Sequence, residues 1–184
     1  DVAILVDCHG RFEENSSRIV AELIAPIGIA WFEEPMDEHS TSSYVWLADQ
    51  LSIPIIGPES AEGKLQTRAE WLLRGASDIC RGGIGDIGGL TPLMKIAHLA
   101  EAFNVAMEVH GGGAGNLNSL GAMSIPGQFY ERGLLHPFID YEQAPGYLHS
   151  KIDSMDNSGY VQIPQTPGIG LDINFDYIQN HLTE

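Results

Sequence analysis

Three acidic residues close successive apolar runs at a constant interval of 26 residues: Asp7 ends AILVD, Glu33 ends IAWFE and Glu59 ends IPIIGPE. That interval is about one strand, one helix and two loops, so parallel strands would gather the three carboxylates at one rim of a sheet. Hard oxygen ligands gathered in this way suit Mg²⁺. One acid at a loop entrance means little, but three in register behind apolar runs favour a metal site. Glu34 follows Glu33 directly and is expected to face away, in an ion pair or a contact outside the ligand set. His9 lies two residues beyond Asp7 and should point to the same side of an extended chain. His110 ends VAMEVH, so both imidazoles should overhang the same rim, where proton transfer is the expected chemistry. His39, His98, His136, His149 and His181 lack such placement and are read as surface or packing residues. Arg11 and Arg81 could hold a substrate carboxylate or pair with nearby acids.

The elements that must position these groups alternate. Strand-like runs lie at 2–7, 29–33, 53–57, 77–81, 105–110 and, more weakly, 137–141; they are nearly continuous apolar stretches, as parallel strands covered on both faces require. Amphipathic segments separate them at 16–25, 40–51, 63–75 and 91–104, with a short helix expected over 114–125. Asn15 and Thr91 are the expected caps of the first and fourth, Pro92 suits a first helical position, and Gly75 and Asn104 can end helices. About six β-α units imply a parallel α/β sheet. Ligands from three adjacent strand ends fit a closed TIM-type (β/α) barrel better than an open sheet, which binds at one switch point. Eight strands make a full barrel, so this chain is expected to hold an incomplete one. Its opening at Asp1, directly before a strand, points to upstream strands outside it. The expected domains are a partial barrel over 1–145 and a Pro-, Gly- and Asp-rich tail over 146–184, with a short strand at 160–163, packing back on the barrel or on a capping domain.

With 184 residues, 43% hydrophobic, the chain can bury a sizeable core. Its 25 acidic and 9 basic side chains give a net charge of −16, which repels nucleic acid and anionic membranes. A bound metal would supply the positive charge needed to hold an anionic substrate. Cys8 and Cys80 show no zinc spacing and read as buried, reduced thiols of a cytoplasmic protein. Exposed strand edges would favour a homo-oligomer.

Two motifs compete. Gly83-Ile-Gly85-Asp-Ile-Gly88 matches G-x-G-x-x-G, with Glu108 about 20 residues on where a ribose-binding acid could sit. A dinucleotide-binding α/β domain would leave the three earlier carboxylates unexplained. His110-Gly-Gly-Gly113 resembles an esterase oxyanion loop, but the chain has no G-x-S-x-G.

VDCHGRF (6–12), WFEEP (31–35), GPE (57–59), DIGGLT (86–91), EVHGGG (108–113) and VQIPQTPGIGLDI (161–173) together resemble the barrel domain of the enolase superfamily, in its mandelate racemase and muconate lactonizing branch. The resemblance implies that Asp7, Glu33 and Glu59 hold Mg²⁺ and that an enediolate forms from a carboxylate substrate by loss of its α-proton. D-x-H-G-R looks most like the galactonate dehydratase type, which implies an acid-sugar dehydratase with His110 as base and His9 as general acid. Glu142, in DYEQ, matches a late carboxylate that assists the intermediate. The family's Asp partner for the base falls on Gly83, so Asp86 is the candidate to orient His110. A Lys base upstream would instead make the protein a racemase, epimerase or cycloisomerase. A metal-binding relative without turnover is the non-enzyme alternative. The substrate expected is a small sugar acid or hydroxy acid.

Overall fold

The computed structural model describes residues 2–133 and 142–183. Among the described residues, six short parallel strands alternate with helices: β1 (Leu5–Asp7), β2 (Trp31–Glu33), β3 (Ile55–Ile56), β4 (Cys80–Gly82), β5 (Met107–Val109) and β6 (Pro126–Tyr130). The helices are α1 (Glu14–Ile24), α2 (Thr41–Gln50), α3 (Lys64–Arg74), α4 (Ile84–Ile87), α5 (Leu90–Ala102), α6 (Ala114–Ala122) and, in the tail, α7 (Phe175–Asn180). Strands pair in sequence order as two parallel three-stranded sheets, β1-β2-β3 and β4-β5-β6. A parallel bridge between Ile56 and Ile79 joins them, with Gly57 N donating to Ile79 O at 3.1 Å. Neighbours in sequence are therefore neighbours in space, and all C-terminal strand ends lie on one side.

The sheet curls. The Trp31 ring on β2 meets the Phe129 ring on β6 at a centroid distance of 5.5 Å. β2, β4 and β5 are buried at all three positions, as strands covered on both faces must be. The core sits between sheet and helices: Leu93, Ile96, Ala97 and Ala100 of α5 pack with Cys80, Met107 and Val109. Tyr44 and Leu47 of α2 pack with Ile55 and Trp71.

Local differences from the sequence expectation have physical causes. α1 begins two residues earlier, because the Glu13 side chain accepts from the Asn15 and Ser16 amides and caps it. α5 starts at Leu90 behind Gly89, whose φ of +121° makes the turn, so Thr91 lies inside the first turn rather than capping it. The expected strand at 137–141 lies outside the described residues. The sixth described strand is β6, which the sequence hides: it opens on Pro-Gly and has no apolar run. The Glu108 carboxylate accepts from the Gln128 and Phe129 amides at 2.6 and 3.3 Å, standing in for ladder partners where the β5–β6 register shifts. The expected strand over 160–163 reduces to one antiparallel bridge, Met155 to Val161. Among the described residues, no helix is long and apolar enough to cross a membrane.

Candidate active site

Trp31 and Glu33 alternate to the same face of β2, and Trp31 Nε1 donates to Glu33 Oε2 at 3.1 Å. The other oxygen, Oε1, lies 2.6 Å from Arg81 Nη2. Arg81 is on β4, and the same guanidinium reaches Glu59 Oε2 at 3.1 Å and Glu131 Oε2 at 2.9 Å. His110, just past β5, places Nδ1 2.9 Å from Glu59 Oε2 and 3.6 Å from Glu131 Oε2. The Gly111 amide donates to Glu131 at 3.0 Å. Side chains from β2, from β4 and from the loops after β3, β5 and β6 thus meet at one point, which the curl of the sheet makes possible. A cavity of about 320 Å³ opens onto this cluster, lined by Asp7, Trp31, Glu33, Arg81, Phe129 and Glu131 among others.

Charge in this cluster is unbalanced. Burial pushes the Glu33 carboxyl up to about 7; Arg81 opposes the rise, while the Asp7 and Glu59 carboxylates add to it. Burial, the largest influence on Glu59, would raise it, but the contacts with His110 and Arg81 outweigh burial and hold it below the ordinary carboxylate value. The Glu59 contact lifts His110 to about 9 against the opposing effect of burial. Glu33 Oε1 and His110 Nδ1 are buried without an aligned hydrogen bond. Their 2.6 and 2.9 Å approaches are therefore charge contacts rather than directed bonds.

Asp7 is the register partner of Glu33 across the β1–β2 ladder. Its Oδ1 accepts from the His9 amide at 3.0 Å, and Oδ2 lies 3.3 Å from His9 Nε2. His9 Nδ1 is 3.6 Å from Glu34 Oε2. Ligand atoms of Asp7, His9 and Glu34 lie within 4.8 Å of one another, the group among the described residues that comes together most like a cation site. Glu34 does not turn away as strand alternation predicts. Its φ of +38° breaks the alternation, so the carboxyl is buried, receives the Ser60 hydroxyl at 2.9 Å, and is raised to about 7, chiefly by burial. Its Oε2 approaches His9 Nδ1 at 3.6 Å, an ion pair only when that imidazole is protonated.

Two expected residues are placed elsewhere. Glu142 stands 75% exposed between Arg132 and Lys151, at 2.9 and 2.8 Å; the carboxylate beside His110 is that of Glu131. Asp86 accepts from the Gly83 amide at 3.1 Å and acts on His110 only through its charge, as the weakest of the influences on that ring; Glu59 makes the direct contact. Gly83 itself explains why an Asp is missing there: a Cβ would stand 2.3 Å from the His110 carbonyl oxygen. Arg11 is exposed. Sequence reasoning missed Glu131. Its one signal, an acid behind the aromatic pair of GQFYE, was masked because that segment did not read as a strand.

Asp7, Glu33 and Glu59 offer carboxylate oxygens, the donor type that a hard divalent cation takes, although among the described residues these three do not gather as closely as Asp7, His9 and Glu34. Glu33, 5% exposed, has an oxygen without an aligned donor.

A family described as enolase C-terminal domain-like matches residues 1–177. The chain is 47% identical, with a TM-score of 0.93, to a structure described as D-glucarate dehydratase from Agrobacterium tumefaciens complexed with magnesium, covering 98% of this chain and 47% of that one. It is 28% identical over 180 residues to D-galactonate dehydratase of Ralstonia nicotianae, covering 92% of this chain and 45% of the relative. It is 26% identical over 188 residues to D-galactarolactone cycloisomerase of Agrobacterium fabrum, covering 96% and 48%. The chain thus spans about half the length of these relatives.

Proposed function

The chain belongs to the enolase C-terminal domain-like family, and from that premise we propose that it is the (β/α)-barrel part of a Mg²⁺-dependent dehydratase acting on a sugar acid. The observation that carries this reading is the buried meeting of Glu33, Glu59, Glu131, Arg81 and His110 at the C-terminal strand ends, the position where barrels of this type do their chemistry. The Mg²⁺ named for the glucarate dehydratase relative supports it.

Asp7, Glu33 and Glu59 would hold the ion, which when bound supplies positive charge to a substrate carboxylate whose α-proton is leaving. His110 is the base for that proton. Paired with Glu59 it favours the protonated form, so it acts as a base only when the Glu59 charge is engaged elsewhere. His9, 64% exposed beside Asp7 and Glu34, gives its proton to the departing β-hydroxyl, which leaves as water. One proton and one hydroxide are lost from the substrate, and the enol that remains becomes its isomeric ketone by giving up its hydroxyl proton and taking one at carbon. Glu131 takes the assisting role that the resemblance assigned to Glu142. Trp31 and Phe129 line the cavity beside this centre.

His9→Asn tests the assignment. It should abolish dehydration while exchange of the substrate α-proton with deuterated solvent continues. Loss of both, or of neither, contradicts these roles. The cycloisomerase relative favours a second reading, an isomerase using a Lys base outside this chain; in that case His9→Asn leaves turnover intact.

A further inference from the structure

Glu59 sits in a loop rather than in a strand, yet on the reading above it must hold both an ion and His110. That loop is gripped from two sides by side chains of opposite charge. Glu38, 5% exposed, accepts from three successive backbone amides: Glu59 N to Oε1 at 2.7 Å, and Ser60 N and Ala61 N to Oε2 at 2.6 and 2.8 Å. The Ser60 hydroxyl also donates to Oε2 at 3.2 Å. From the other side Arg68, fully buried, donates through Nη2 to the Pro58 and Glu59 carbonyls at 2.8 and 2.6 Å, and through Nε to the Arg81 carbonyl at 3.0 Å. The chain makes room for this: a Cβ on Gly57 would come within 3.1 Å of Glu38 Oε1 and 3.2 Å of the Trp71 ring. Neither Glu38 nor Arg68 touches the cavity lined by Glu33 and Arg81.

We propose that Glu38 and Arg68 are positioning residues that clamp the 58–61 loop, Glu38 by its amides and Arg68 by its carbonyls, and so fix the Glu59 carboxylate for the cation; this rests on the assignment of Glu59 as a ligand. Arg68 also ties the clamp to Arg81, so the acid and the guanidinium it meets are held by one frame. A carboxylate on three adjacent amides makes charge-assisted bonds, stronger than neutral ones. Gln at 38 keeps the shape but turns an NH₂ toward N–H donors. Outer residues that orient a metal ligand are worth roughly 10- to 100-fold in metal affinity.

The test compares the parent, Glu38→Gln, Glu38→Asp, Glu59→Gln and, as a surface control, Glu70→Gln. Amide hydrogen exchange is followed in metal-free protein, and calorimetric titration uses Mg²⁺ alone. Glu38→Gln should speed exchange of the Glu59, Ser60 and Ala61 amides by roughly tenfold or more, the loss of a hydrogen bond, while the β2 and β5 amides stay as in the parent. It should weaken Mg²⁺ binding by about 10- to 100-fold, and Glu70→Gln should change neither readout. Should Glu38→Gln fail to fold, Glu38→Asp carries both measurements. Parent-like exchange at 59–61, or parent-like Mg²⁺ affinity in a folded Glu38 variant, overturns the clamp. If Glu59→Gln binds Mg²⁺ as tightly as the parent, the ligand assignment fails instead, and the exchange data alone then decide whether Glu38 holds the loop.

Discussion

Glu59→Gln should return the His110 imidazole from about 9 to its ordinary value of 6.5 or below. In the parent the Glu59 contact is the largest influence on that ring, and burial works against it. With the carboxylate gone, burial remains, opposed only by Glu131 at 3.6 Å and the more remote Asp86. A fall of that size is about 3 kcal/mol of differential stabilisation of the imidazolium, and the imidazole, 27% exposed, is screened only in part. The sign follows from linkage. A ring whose folded value exceeds its unfolded one stabilises the fold below about pH 6.5 and loses that contribution as pH rises through about 9. The variant should lose that alkaline decline. The assay is an NMR titration of the His110 ring in metal-free protein from about pH 5 to about pH 10, with denaturant unfolding at both ends. If His110 in the variant still titrates above about pH 8, Glu59 is not its partner and the charge argument is wrong.

Two further substitutions probe the same centre. Arg81→Met leaves Glu33, Glu59 and Glu131 without their shared cation; metal-free stability should fall by about 3–5 kcal/mol, and excess Mg²⁺ should restore part of the lost Tm. A variant as stable as the parent without metal contradicts the charge account. Gly83→Ala forces a Cβ to within 2.3 Å of the His110 carbonyl oxygen, so it should cost about 1–3 kcal/mol in denaturant unfolding and lower activity. Parent-like stability would mean that the backbone at this contact moves freely.

The alternation of strands, and the positions of Asp7, Glu33, Glu59, His9 and His110 at or just past strand ends, were legible because they depend on local periodicity: an acid behind an apolar run keeps its place whatever the tertiary detail. What stayed hidden depends on the curl of the sheet. Arg81 reaches Glu33 and Glu131 only because β2, β4 and the end of β6 converge, and no spacing in the chain encodes that. Glu131 was lost because β6 lacks an apolar run and draws two of its backbone partners from the Glu108 side chain. Glu142 was chosen by resemblance alone, and it stands in solvent with Arg132 and Lys151 beside it. Glu34 was misdirected because a single left-handed φ reverses strand alternation, and Glu38 carried no motif at all.

The claim on which the rest depends is that one divalent ion is shared by Asp7, Glu33 and Glu59. Anomalous diffraction from crystals grown with Mn²⁺ in place of Mg²⁺ tests it directly. The account predicts one strong peak about 2.1 Å from an oxygen of each of the three carboxylates, with Arg81 withdrawn from Glu33 and Glu59. A peak seated instead among Asp7, His9 and Glu34, or none while Arg81 keeps its present contacts, would contradict it.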